Sequence, residues 1–332
     1  MDVLVFFINK VVIAGTVLGS IYALGAIGVT LIFGILRFAH FAHGDMMTLG
    51  AFVAFVLSLL CYHYGIYFPI SAGFVLLPIA MAITVGVALG IDKVIYAPLR
   101  KRGAKPVTLL IASIGATLMM QGLIRLFFGT GTYSFFDYGE IKTIFKIDMS
   151  WAGSRPITFT EPQLLMVVVT VLLIAILNYF LTRTRLGKAM RAVSDNPDLA
   201  RITGISTEHV VWATWIIGGA LACAAGTLLS MDVALKPDLS WNILLPIFAA
   251  TIVGGIGQPY GAIAGGFLVG LCESLSVFNW AILLRPIKPY LWFDIPSSLA
   301  LVPTEYKLMV PFLILIIVLI YRPTGIFKGR VL

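Results

Sequence analysis

The chain has 332 residues, 60% of them hydrophobic and 11% charged, with a mean hydropathy of +1.01 and a formal charge of +8. Soluble domains carry about 25% charged residues, so this composition excludes a water-soluble globule and predicts an all-α polytopic membrane protein. The surplus cations stand at the ends of apolar runs and are not interleaved with exposed aromatics, which excludes nucleic acid as a partner.

The N-terminal MDVLVFFINK has an acidic second residue, no basic n-region and no small-residue cleavage site, which argues against a removed signal peptide. Apolar runs then predict spans over 11–36, 46–61, 70–91, 107–128, 163–181 and 210–231. Two further runs, 241–253 and 262–278, flank the break GGIGQPYG and read as two segments or one broken hairpin, and 305–321 is a last span of barely sufficient length. In the first span Gly15, Gly19, Gly25 and Gly28, with Ala23 and Ala26, would let a neighbouring helix approach closely. Cys61, Cys223 and Cys272 lie in apolar runs, are odd in number and form no CxxC pair, so they read as packing residues.

Lysine and arginine concentrate in 92–106 (Lys93, Arg100, Lys101, Arg102, Lys105), in 183–209 and in 322–332 (Arg322, Lys328, Arg330). The positive-inside rule places these three stretches in the cytoplasm and leaves 129–161, 232–242 and 279–304 outside. The result is about eight or nine helices, some broken or re-entrant, with nine crossings, an external N-terminus and a cytoplasmic C-terminus favoured when GGIGQPYG is a turn between two crossings. The two stretches around RFAHFAHGD and GGIGQPYG echo one another as helix, break, glycine-bearing helix, a pairing that in transporters points to the translocation path.

The longest basic interruption, 182–209, has its own local chemistry. Asp195, Asn196 and Pro197 supply side-chain acceptors and a fixed φ at a helix start, and Gly204 supplies the left-handed stop, so 197–203 should be a helix of about two turns. Leu199 and Ile202 share a face with Ala200 beside them, whereas Asp198 and Arg201 point elsewhere. So short a helix needs a partner to pack on.

His40, His43 and Asp45 form an HxxHxD cluster at a break near Gly44. Three uses are open to it: capping a helix break, contact with a translocation path or gate, or holding a metal. Glu273 lies inside an apolar run and either lines a path or pairs locally near the outer interface; Gln121 and Arg125 share one face near the outer end of the fourth span, Arg125 snorkelling. GxxxxGK[ST], GxSxG and HExxH are all absent, so any ATP that energises transport is bound by another chain. An ion-coupled secondary transporter would draw on His43, Asp45 and Glu273, and a membrane-embedded enzyme would need a metal at HxxHxD.

Four ordered motifs covering nearly the whole chain resemble one family. They are GSIYALGAIGVTLIFGILRFAHFAHGDMMTLGAFVAF, RLGKAMRAVSDNPDLARITGI, IVGGIGQPYGAIAGGFLVGLCESL and YRPTGIF. The chain is similar to the permease subunits of branched-chain amino acid ABC importers, and to the first of their two non-identical permeases. The resemblance implies a single transmembrane domain over 1–332 in the bacterial inner membrane, with a coupling loop at 183–209 that seats in a groove of the ATPase. Arg185, Gly187, Lys188, Arg191, Asp195, Ala200 and Gly204 match the loop pattern, with Pro197, Leu199 and Ile202 completing its helix. The implied partners are a second permease, two cytoplasmic ATPases that bind the ATP and magnesium, a soluble substrate-binding protein and the lipid bilayer; no cofactor or metal is expected in this chain. The implied mechanism is alternating access along a largely apolar path, with His40, His43, Gly44, Asp45, Gly257, Gly261 and Glu273 as path or gating candidates. Most members carry Asn where this chain has His40, and urea and short-chain amide permeases are close relatives, so the solute stays open at this point.

Overall fold

A computed structural model describes residues 2–136, 143–147, 156–284 and 299–327. The predicted basic residues Lys328 and Arg330 lie outside the described residues. Among the described residues seven helices are long and apolar enough to cross a membrane: α1 (Val3–Leu36), α2 (His43–His63), α3 (Leu77–Lys101), α4 (Pro106–Phe128), α5 (Glu161–Arg183), α8 (Thr207–Asp232) and α10 (Pro259–Val277). Between α5 and α8 run α6 (Arg185–Asp195) and α7 (Pro197–Ile202). Two shorter apolar helices, α9 (Trp241–Gly254) and α11 (Met309–Tyr321), complete the bundle. The helical membrane fold is the one expected: among the described residues seven long helices and two shorter apolar ones stand where eight or nine, some broken or re-entrant, were read from the sequence. At 14 residues α9 is about 21 Å long, short of a hydrocarbon core of about 30 Å.

Other boundaries moved for local reasons. α1 begins well before residue 11, α3 continues past 91 into the basic stretch, and a separate turn of helix, Ala72–Val75, precedes α3. The last helix begins at Met309, after a single turn at Thr304–Tyr306. An antiparallel pair, β1 (Ile144–Ile147) and β2 (Ile157–Thr160), was not expected; Asn9 ties it to α1, donating to the Pro156 carbonyl and accepting from the Thr158 N–H.

The core is where small residues let helices close on one another. α1 packs along α10, and a Cβ on Gly270 would lie 2.5 Å from the Gly19 nitrogen, one on Gly266 2.5 Å from the Ala23 Cα. Small residues four apart on both helices thus face each other, which is how membrane helices gain van der Waals contact without a hydrophobic drive between them. α8 fills the middle of the bundle against α1, α2 and α3, whereas α5 is among the least buried of the long helices.

The break after α1 spans 37–42, not Gly44, which lies in the first turn of α2. Arg37 closes α1 in the left-handed region, φ 60°, the one such non-glycine among the described residues. The chain then climbs back into the bundle. The His43 ring lies against Gly28 of α1, and Gly28 is about 12 Å along the helix from Leu36. Ser240, just before α9, bonds the Thr48 hydroxyl of α2 at 2.8 Å. Both α2 and α9 therefore begin inside the bundle.

Candidate functional site

One end of the bundle gathers the basic segments. The Arg37 guanidinium donates to the Ser194 carbonyl at the end of α6 (3.1 Å), tying the first helix break to the basic loop. Residues 255–258 turn between α9 and α10 at the same end, with Gly34 of α1 against both Ser194 and Gly257. The tail after α11 returns there too, Ile326 donating to the Val253 carbonyl at 2.9 Å. The GGIGQPYG break is thus a turn between antiparallel helices at the end of the bundle where the basic stretches lie.

The basic loop is two capped helices. The Thr184 hydroxyl accepts from the Gly187 N–H at 3.0 Å, starting α6, and Gly187 lets α6 fold onto the end of α5: a Cβ there would lie 2.6 Å from the Leu181 Cα. Met190 and Val193 bury against the bundle while Arg185, Lys188 and Arg191 face out. Asn196 caps α7, its Oδ1 accepting from the Asp198 and Leu199 N–H groups, each at 3.1 Å. The stop is as predicted: Gly204 has φ +82°, and Ile205 donates back to the Ala200 carbonyl. Ala200 is buried, yet Leu199 is 59% and Ile202 82% exposed. Every capping bond of α7 is made and its apolar face is bare.

The path and gating candidates do not gather at one point, although the His40 and His43 rings meet edge to face with centroids 6.4 Å apart. His40 is buried in an aromatic box, its Nδ1 3.1 Å from the Tyr96 hydroxyl and its ring edge-on to Trp215. His43 turns instead toward α1, where the Gly25 carbonyl faces its ring outside hydrogen-bond geometry. Asp45 points to α4, toward Gln121 and Thr117, within reach of the Arg125 charge. Among the described residues no three His, Cys, Asp or Glu side chains converge as metal ligands would. Gly44 packs on Leu244 of α9, and Gly261 approaches Gly254 across the turn. Glu273, buried, accepts from the Tyr22 hydroxyl at 2.8 Å and pairs with Lys307 at 3.0 Å, so it joins α1, α10 and the start of α11.

Some candidates do meet. Arg191, Asp195 and Gly257 line one groove of about 230 Å³ together with Thr30, Gly34 and Tyr260. Sequence reasoning gave no role to Tyr22, Tyr96, Trp215 or Lys307: an aromatic in an apolar run looks like packing, and Lys307 stands 34 residues from Glu273.

A bundle of membrane-length helices with two interior helix starts and a capped basic loop defines a polytopic membrane protein. Residues 11–319 match the family described as branched-chain amino acid transport system, permease component. Over 318 residues the chain is 31% identical to the high-affinity branched-chain amino acid transport system permease protein LivH of Escherichia coli K12, covering 94% of this chain and 92% of that one. It is 31% identical to the corresponding BraD permease of Pseudomonas aeruginosa, covering 94% and 93%, and 32% identical over 280 residues to a probable LivH of Methanocaldococcus jannaschii, covering 82% of each. No solved structure matches the chain. The chain belongs to the branched-chain amino acid permease family of ABC transporters.

Proposed function

We propose that this chain is one of two non-identical permeases of a bacterial inner-membrane importer for branched-chain amino acids, driven by two cytoplasmic ATPases that hold the ATP and magnesium. A soluble binding protein delivers the solute to the opposite face. The observation that carries this reading is α7, a helix too short to persist alone that is fully capped yet holds Leu199 and Ile202 in the open. ATPase closure would pull α7 and α6. The pull would pass through Arg37 and the groove at Arg191 and Gly257 to the helix starts at Gly44 and Ser240, rocking one group of helices against the other. On this assignment the basic end and the C-terminus are cytoplasmic. His40, His43, Asp45 and Gly261 act as gating elements by holding the broken helices, and Glu273 holds α11 to them.

The test is uptake of radiolabelled leucine in vesicles containing the whole transporter. Arg191→Glu and Gly204→Pro are expected to abolish uptake while the subunit still inserts; normal ATP-dependent uptake in both would remove the coupling assignment. The departure at His40 leaves one rival solute class open, urea and short-chain amides. Competition of leucine uptake by urea or acetamide, with none by isoleucine, would select it.

A further inference from the structure

We propose that the basic end of the bundle carries a binding site for an anionic phospholipid, in the groove between α3, α8 and the back of α7. The inference rests on that end lying at the cytoplasmic membrane surface. The groove has a volume of about 690 Å³. Its charge is lopsided. Asp92, buried, is already held by two bonds from Arg100, at 2.6 and 3.0 Å. That leaves Lys93, Lys101 and Arg201 on the rim against Glu208, and none of these four has an ion-pair partner among the described residues.

The floor is apolar, formed by Leu36, Leu89, Gly90 and Val211. It also opens along the membrane. On α3, Ile83, Val87 and Gly90 share a face, and a Cβ on Gly86 or Gly90 would meet nothing within 4 Å. On α8, Trp212 and Ile216 are one turn apart and 61% and 43% exposed, and on α3 Ile83 and Val87 are 44% and 37% exposed. A cationic rim that continues into two bare apolar tracks at membrane depth fits a phosphodiester headgroup with its acyl chains attached. A free anion would have no use for the tracks, and a soluble protein could not reach them.

The site lies behind the coupling helix. Pro197 and Arg201, four apart, line the groove, whereas Leu199 and Ile202 lie on the other face of α7. A headgroup held by Arg201 would brace α7 from the membrane side.

The complete transporter, with its partner subunits, would be placed in nanodiscs of phosphatidylcholine with graded phosphatidylglycerol, and retained lipid counted by native mass spectrometry. Wild type is expected to prefer phosphatidylglycerol, and Lys93→Gln with Lys101→Gln to reduce that preference by about 30-fold, the value of two cations at a membrane surface. Arg322→Gln, a cation outside the groove, is expected to leave it unchanged. Equal loss in Arg322→Gln, or no loss in the double variant, would overturn the site. So would displacement of the lipid by millimolar glycerol phosphate, or photocrosslinking from Lys101→Cys that captures an ATPase subunit in place of lipid. ATPase association, read in the same samples, separates the two readings: a wild-type subunit that prefers phosphatidylglycerol but does not hold the ATPase counts against the coupling assignment and leaves this site standing.

Discussion

Leu199→Ala combined with Ile202→Ala strips the exposed face of α7 and leaves its frame alone. Each substitution removes three carbons, at about 0.8 kcal/mol per buried carbon. Scaled by the 82% and 59% of surface left free, full burial against a partner would be worth about 2.0 kcal/mol at Ile202 and about 1.4 kcal/mol at Leu199. Together that is about 3.4 kcal/mol, a ceiling of about 300-fold in affinity. The variant helix is no weaker, because alanine is the better helix former and Asn196 and Gly204 stay in place. The assay is association of purified ATPase with the permease pair in nanodiscs, by interferometry, alongside the thermal unfolding midpoint of the pair. A weakening of tens to hundreds of times with an unchanged midpoint is expected. Affinity within twofold of wild type would refute the argument, and so would an equal fall in stability, which would mean that the two side chains serve the fold.

Asn196→Ala removes the acceptor for two N–H groups at the start of α7, a loss of about 0.5–2 kcal/mol, so amide hydrogen exchange over 198–203 should speed up by roughly 2- to 30-fold; unchanged exchange would show that the cap is unimportant. Gly270→Ala forces α1 and α10 apart at Gly19 and should cost about 1–3 kcal/mol in denaturant unfolding, whereas Gly86→Ala, facing open space, should cost nothing measurable. Glu273→Leu leaves Lys307 and the Tyr22 hydroxyl without their acceptor; with Lys307 41% exposed and able to regain water, a loss of about 1–3 kcal/mol is expected in the same assay. Glu273→Gln, which keeps an acceptor for Tyr22, should retain most of the stability, and equal effects of the two substitutions would refute the local pairing.

Much of this protein was readable from one dimension. Apolar runs, charge placement and cap chemistry are local properties, so the membrane class, most of the long helices, the start of α7 at Pro197 and its left-handed stop at Gly204 all follow from residues close together in the chain. The strand pair escaped notice because its two four-residue segments are too short for a periodic signal. The contacts of the gating candidates were not readable from the sequence, because three neighbours at a helix start need not face one way. His40 turned to Tyr96 and Trp215, His43 to α1 and Asp45 to α4, each following the helix that happened to pack on its side.

By itself the sequence determined that the chain lives in a membrane and offers a small capped helix at its basic end, since hydropathy and hydrogen-bonding acceptors act over a few residues. Only the tertiary structure decided that α2 and α9 start inside the bundle, that Glu273 is neutralised by Lys307, that Arg37 ties the first break to α6, and that Lys93, Lys101 and Arg201 share one groove. Those outcomes depend on which helices close on one another, and that is set by the mutual fit of small residues such as Gly19 and Gly270, far apart along the chain.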